Sequence, residues 1–253
     1  MSRIKFMNTE IDNLTMGEAL DRIEELIRED KSSYVVTPNV DHIIRLEKGG
    51  ELCKAYKNAS LILTDGMPLV WISRWYGTPI REKISGSDLF PRLCALSSKK
   101  GYRMFFLGAK EGVGARAAER LKARFPSLSV VGTYSPPWGF EKDREEMEKI
   151  KDMIRAAKPH ILIVCLGCPK QELFMLHNKD ELGVPVSLGL GASLDFESGY
   201  QKRAPKWMSD KGFEWIYRLF HNPAKLAKRY LVDDIKIFAL AVKYRKNDHR
   251  GKR

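Results

Sequence analysis

No run of apolar residues in this chain approaches the roughly 20 that a membrane-spanning helix needs. Its start, Met1-Ser2-Arg3-Ile4-Lys5, leads into mixed polar sequence without the apolar core of a signal peptide. These two absences predict a protein made and kept in the cytoplasm. Cysteine is sparse, with Cys53, Cys94, Cys165 and Cys168 the four in 253 residues. Disulfide frameworks belong to short, cysteine-dense secreted domains, so free thiols are expected. The five histidines show no H-E-x-x-H spacing. Cys165-Leu166-Gly167-Cys168 has no second pair to complete a zinc site, and core packing accounts for Cys165 inside an apolar strand. Asp195-Phe196-Glu197 is too short an acidic signal to define a cation site. No bound metal and no cofactor is therefore expected. Internal repeats and low-complexity linkers are missing as well.

What is present is material for one large core or a core plus an appended segment, with 43% hydrophobic and 30% charged residues. Up to about residue 190, short runs rich in β-branched residues alternate with helical patterns, which predicts a layered, Rossmann-like α/β fold with a mainly parallel sheet. The expected strands are Tyr34–Val36, Leu61–Leu63, Met104–Leu107, Ser129–Gly132, Ile161–Leu166 and Val186–Leu190. Thr15-Met16-Gly17-Glu18 reads as a capping box ahead of a helix over Glu18–Glu29. Gly114–Phe125, Lys142–Ala157 and Pro169–His177 also read as helices.

After Gly199 the strands stop and the sequence turns helical, aromatic and basic. Residues 199–253 hold 15 Lys and Arg against 5 Asp and Glu, whereas residues 1–198 hold 29 against 27, so +10 of the net +12 lies in the last fifth. This divides the chain into an α/β catalytic domain over 1–198 and a helical appendage over 199–253. In the appendage Leu226, Tyr230, Ile235, Phe238 and Val242 recur close to one helical face, flanked by Lys225, Lys228, Arg229, Lys236, Lys243, Arg245 and Lys246. Apolar residues that enter a headgroup boundary beside basic residues that meet anionic lipid predict a membrane-surface segment. A plain solvated face and a nucleic-acid surface are the alternatives.

In open parallel sheets ligands bind at the carboxyl ends of the strands. Polar and glycine motifs follow nearly every expected strand: Thr37-Pro38-Asn39, Thr64-Asp65-Gly66, Gly108, Thr133-Tyr134-Ser135, Gly167 with Pro169-Lys170-Gln171-Glu172, and Gly191-Ala192. Asp65 is the best single acid, since a carboxylate at a strand end can accept a proton from a hydroxyl in the cleft. It could equally cap the next helix, and Thr37 and Asn39 face the same choice. Gln171 can hydrogen-bond a sugar or nucleotide in two directions, and Glu172 can complement a helix start. Gly112-Val113-Gly114-Ala115-Arg116-Ala117 fits G-x-G-x-x-A, yet the first glycine lies several residues past its strand and the next strand carries no acid for a ribose. That fit is too poor for a dinucleotide, although the helix start could still take a nucleotide diphosphate.

The ordered series Thr37-Pro38-Asn39, Leu63-Thr64-Asp65-Gly66, Phe106-Leu107-Gly108, Leu166-Gly167-Cys168-Pro169-Lys170-Gln171-Glu172, Gly189-Leu190-Gly191-Ala192, Arg203-Ala204-Pro205, Gly212-Phe213-Glu214-Trp215-Ile216-Tyr217-Arg218-Leu219 and Lys228-Arg229-Tyr230 resembles the WecG/TagA/CpsF family, glycosyltransferase family 26, from about residue 8 to 245. Phe196-Glu197-Ser198-Gly199 departs from the apolar or alanine-rich run expected there. The resemblance implies an inverting, metal-independent transferase. It would move N-acetylmannosamine or a related sugar, such as N-acetylmannosaminuronic acid, glucose or mannose, from a UDP-sugar donor to N-acetylglucosamine on undecaprenyl diphosphate in teichoic acid, common antigen or capsule synthesis. It implies Asp65 as general base, Thr37, Asn39, Gly108, Gln171 and Glu172 as substrate contacts, and Arg203, Arg218 and Arg229 as ligands of the acceptor diphosphate. The protein would then work as a peripheral protein on the inner face of the plasma membrane, with self-association left open. From other classes, a nucleic-acid-binding α/β module is motivated by the pI of 9.5, although no nucleic-acid partner is expected, and a dinucleotide oxidoreductase by the glycine motif.

Overall fold

The computed structural model describes residues 3–250. Side chains at positions 210, 225 and 246–250, among them the cationic Lys225 and Lys246, lie outside that description. An antiparallel hairpin, β1 (Arg3–Phe6) and β2 (Thr9–Asp12), precedes a six-stranded parallel sheet of β3 (Ser33–Val36), β4 (Leu61–Ile62), β5 (Arg103–Gly108), β6 (Ser129–Tyr134), β7 (Ile161–Cys165) and β8 (Val186–Gly189), in the order β4-β3-β8-β7-β5-β6. All six expected strands are there, within one to two residues at most ends.

Alternation along each strand feeds two cores, because successive side chains point to opposite faces. Tyr34, Val36, Phe105, Leu107, Leu162 and Val164 pack on one face against Ile43, Leu52, Ile150, Ile154 and Phe174. Val35, Met104, Phe106, Ile161, Ile163 and Leu188 pack on the other against Ile23, Leu89, Phe90, Leu93, Ala117 and Leu121. Burying each such Leu, Ile or Phe contributes roughly 1.5–3 kcal/mol relative to leaving it exposed.

The helix Met16–Glu29 starts on the expected capping box, with Glu18 N donating to Thr15 Oγ1 and Thr15 N to Glu18 Oε2. Helices Val113–Arg124 and Arg144–Ala157 match expectation closely, and Lys170–Leu182 runs five residues further than expected before Gly183 ends it. Five α-helices of the described α/β part go unmarked by the pattern: Val40–Leu46, Glu51–Lys57, Met67–Trp75, Gly86–Lys100 and Ser193–Ser198. The first two are too short for two apolar periods. The fourth carries Pro91 inside, which breaks a helical reading because proline removes a backbone donor. The hairpin is also unmarked, because its turn uses Met7 at φ 50 where glycine would have signalled it.

Beyond Gly199 the chain is helical, as expected: Lys206–Asp210, Glu214–His221, Pro223–Lys228 and Lys236–Arg250, with a π-helical turn over Arg229–Asp233. That turn corrects the single apolar stripe. Asp234 N donates to Arg229 O, an i to i+5 bond that adds a residue to the turn and shifts the faces on either side of it. Leu226 packs inward, whereas Ile235, Phe238 and Val242 face out, Phe238 at 65% exposure. The inward residues of the last helix are Ile237 and Ala241, with Leu240 and Tyr244 packed against the first core. Tyr76 Oη donates to Ala241 O at 2.8 Å and Lys243 Nζ to Glu47 Oε2 at 2.8 Å, so this helix lies on the α/β layers. Among the described residues no helix is long and apolar enough to cross a membrane.

Candidate active site

The loops after β3, β4 and β7 converge with the appendage at one end of the sheet. Asn39 caps helix Val40–Leu46, its Oδ1 accepting from Asp41 N (3.1 Å) and His42 N (3.4 Å). The same oxygen also takes a hydrogen bond from Arg229 Nη2 at 3.2 Å, so the cap is tied to the appendage. Thr37 is buried and donates from Oγ1 to Gly189 O at 2.9 Å, pinning β3 to β8.

Asp65 follows β4. Its backbone N donates to Pro38 O at 2.8 Å, which couples the β3 and β4 loops. Gly66, at φ 118, occupies the cap position of helix Met67–Trp75 without a side-chain cap bond. The Asp65 carboxylate is thus not used in capping, and among the described residues it accepts no hydrogen bond. Burial pushes its pKa up to about 6; Glu214 adds to the rise, and Lys83, Arg218 and His42 oppose it. A carboxylate held near neutrality with its lone pairs free is suited to accept a proton.

Gln171 and Glu172 are buried at the start of helix Lys170–Leu182. Gln171 Oε1 accepts from Gly191 N (3.1 Å) and its Nε2 donates to Glu172 Oε1 (2.7 Å), joining the β7 and β8 loops. Gly108 ends β5 at φ 108, where an added Cβ would stand 2.4 Å from Cys165 O. Glycine is therefore demanded there by the neighbouring strand. Three appendage arginines differ in how they are used. Arg203 is held by Asp88 and Ser87 O. Arg218 lies 5.9 Å over the Phe196 ring and Arg229 beside Asp234 at 3.6 Å, and the buried Nε of each makes no hydrogen bond among the described residues.

The structure therefore draws Asn39, Asp65, Gln171, Glu172, Arg218 and Arg229 into one connected set, with Thr37 just beneath. Gly108 stands apart from it, and Arg203 is linked to it through Asp88, which also pairs with Lys83 at 3.4 Å. Sequence reasoning missed His42, Lys83 and Glu214. His42 bridges Asn39 and Glu172; Lys83 Nζ donates to Ser209 Oγ, and Ser209 Oγ to Glu214 Oε2. A His three residues after a capping Asn was one signal, and Glu214 stood in the run over 212–219 that carries the family resemblance, without a role assigned to it; Lys83 carried none.

A second feature is an open cavity of about 270 Å³ beyond β5, lined by Lys110, Glu111, Gly112, Val113, Arg116, Ser198 and Tyr200. It sits over the start of helix Val113–Arg124, where Gly112 makes no side-chain cap bond and Val113 N donates to Lys110 O at 3.0 Å.

With this geometry in view, comparison with known proteins decides the family: the model of the glycosyl transferase WecG/TagA/CpsF family matches residues 4–251. The chain belongs to that family. Among WecG/TagA/CpsF relatives, an N-acetylglucosaminyldiphosphoundecaprenol N-acetyl-beta-D-mannosaminyltransferase of Bacillus spizizenii (strain W23) is 36% identical over 197 residues, 78% of this chain and 74% of that enzyme. The transferase of the same name from Bacillus subtilis (strain 168) is 33% identical over 212 residues, 83% of this chain and 80% of that one. The protein is accordingly a glycosyltransferase, and the nucleic-acid-binding alternative has no support.

Proposed function

We propose that the protein transfers an N-acetylmannosamine-type sugar from a UDP-sugar to N-acetylglucosamine carried on undecaprenyl diphosphate, by a single inverting displacement at a membrane surface. The observation that carries this reading is the cleft itself: Asp65, a carboxylate that accepts no hydrogen bond among the described residues and feels the charge of Arg218, in a set that also holds Arg229, bonded to Asn39. The names of the two Bacillus relatives supply the acceptor and the sugar.

In the step, the Asp65 carboxylate takes the proton of the acceptor hydroxyl as that oxygen bonds to the anomeric carbon. The bond from that carbon to the UDP oxygen breaks, and the pair of electrons leaves with the diphosphate. A positioned base contributes typically 10²–10⁴-fold. Arg218 and Arg229 hold the acceptor diphosphate, as charge-assisted bonds to phosphate oxygens satisfy their buried donors. The uncapped start of helix Val113–Arg124, with Lys110 and Arg116 outnumbering Glu111 in the cavity beside it, favours the donor nucleotide's phosphates. No metal is used for this displacement.

The outward apolar set supports docking on the bilayer that holds the acceptor. Leu231, Val232, Ile235, Phe238 and Val242 are exposed together beside Lys228, Lys236 and Lys243, the arrangement that seats an interfacial segment on anionic lipid. The test is transfer to a synthetic lipid-diphosphate N-acetylglucosamine. Asp65→Asn is expected to bind UDP-sugar normally and lose at least 10²-fold in turnover; near-normal turnover refutes the base.

A further inference from the structure

Beneath the cleft, three side chains from distant parts of the chain point donor atoms at one another. His42 Nε2, Cys168 Sγ and a carboxylate oxygen of Glu172 all lie within 4.8 Å of each other. They come from the helix after β3, the loop after β7 and the first turn of helix Lys170–Leu182. Spacing along the sequence predicted no metal-ligand set because these positions are 126 and 4 residues apart; only the fold assembles them.

Asn39 Oδ1 accepts from two backbone amides and from Arg229, so it is the oxygen of that amide that faces the ring. It lies 2.8 Å from His42 Nδ1, and the same ring nitrogen lies 3.4 Å from Asn39 N; the 2.8 Å contact is a hydrogen bond in the tautomer that carries the proton on Nδ1. Nε2 then faces Glu172 Oε1 at 3.3 Å. The Nε2–H tautomer donates to the carboxylate, whereas the Nδ1–H tautomer sets a nitrogen lone pair against it, which is repulsive unless a cation lies between them. A second proton would do so through a hydrogen bond longer than the usual 2.7–3.2 Å. A tetrahedral ion bound at 2.0–2.2 Å to each atom would separate them by about 3.4 Å, close to what is seen. Independently, Glu172 is 0% exposed and its Oε2 accepts no hydrogen bond among the described residues, a costly vacancy for a buried carboxylate.

The donor chemistry narrows the ligand. One imidazole, one thiolate and one carboxylate suit a borderline ion and disfavour Mg²⁺ or Ca²⁺, which demand oxygen. Two anionic ligands neutralise a divalent charge, which suits a buried site. The outer partners are in place, Asn39 holding His42 and Gln171 holding Glu172. We propose that His42, Cys168 and Glu172 bind one divalent ion of the zinc class, with a fourth position left to water or another exogenous ligand. On binding, the Cys168 thiol gives its proton to solvent and its sulfur bonds the metal. The ion would clamp the β3 loop to the β7 loop, next to the displacement machinery but with no part in the displacement described above.

The test uses the full chain, stripped with chelator and titrated with Co²⁺, whose thiolate charge-transfer absorption reports the Cys168 bond directly. The expected result is a thiolate band with tetrahedral visible bands, saturating at one equivalent and displaced by Zn²⁺. Cys168→Ser should abolish the band, and Glu172→Gln should weaken binding by about tenfold or more, with thermal melts showing that both variants fold. Should Cys168→Ser not fold, Cys168→Ala replaces it. No band at one equivalent, or a band that survives loss of the Cys168 sulfur, overturns the proposal. The readout is spectroscopic, so it succeeds or fails independently of the assignment of Asp65.

Discussion

Replacing Asp65 with Asn should make the protein more stable while it stops the reaction. The carboxyl has an ordinary value of 3.8 and is pushed up to about 6 by burial, so the fold disfavours its ionised form. The sign follows from linkage: a group whose folded pKa is raised favours the fold fully below its unfolded value, and that contribution is lost as pH rises through the folded one. Integrated between the two values, ionised Asp65 costs about 3 kcal/mol at pH 7.5 and about 1.6 kcal/mol at pH 5. Asn has nearly the same shape and never ionises. Urea melts of both proteins at the two pH values measure the difference. Asp65→Asn should be more stable by up to about 3 kcal/mol at pH 7.5, roughly 6–12 °C in Tm for a chain of this size. The gap should shrink by about half at pH 5. A variant less stable than the parent at pH 7.5, or a gap that grows as pH falls, would refute the claim that the cleft holds this carboxylate at a cost.

Other consequences follow from named contacts. Arg229→Ala or Arg218→Ala should raise KM for the lipid-diphosphate acceptor by about tenfold or more, since each charge-assisted bond is worth about 1.5–3 kcal/mol, while UDP-sugar affinity measured by calorimetry stays unchanged. Phe238→Asp with Ile235→Asp should abolish sedimentation with anionic liposomes yet leave turnover of a short-chain, water-soluble acceptor intact; loss of both would show that these residues are structural. Gly108→Ala should lower Tm measurably, because its Cβ would meet backbone at 2.4 Å and the left-handed φ of 108 adds strain; an unchanged melting curve would contradict that packing.

Much of the architecture could be read before folding. The six parallel strands announce themselves as short β-branched runs, and the motifs that follow them fall at the carboxyl ends, where the cleft forms. What escaped is what chain order hides. Helix Val40–Leu46 is only two turns long, so neither it nor His42 upon it stood out, although Asn39 and His42 together form its cap. Lys83 sits in an unremarkable context and Glu214 in a motif that names no role for it; both matter because the fold brings their charges to bear on Asp65. The apolar count along the appendage assumed 3.6 residues per turn throughout, and the π turn at Arg229–Asp233 broke that assumption. Thr37 and Gln171 carry the opposite lesson: both are buried with their hydrogen bonds made inside the protein, so their resemblance to substrate contacts is also a record of how the loops are joined.

The central claim is that Asp65 removes the acceptor proton, and the pH dependence of transfer tests it most directly. With the lipid-linked N-acetylglucosamine acceptor, kcat/KM should rise about tenfold per pH unit below about 6 and level off above it. Glu214→Gln should move the midpoint down and Lys83→Met should move it up, since those charges respectively raise and lower the Asp65 value. A flat profile through pH 6, or Asp65→Asn retaining the same profile at comparable rate, would contradict the account.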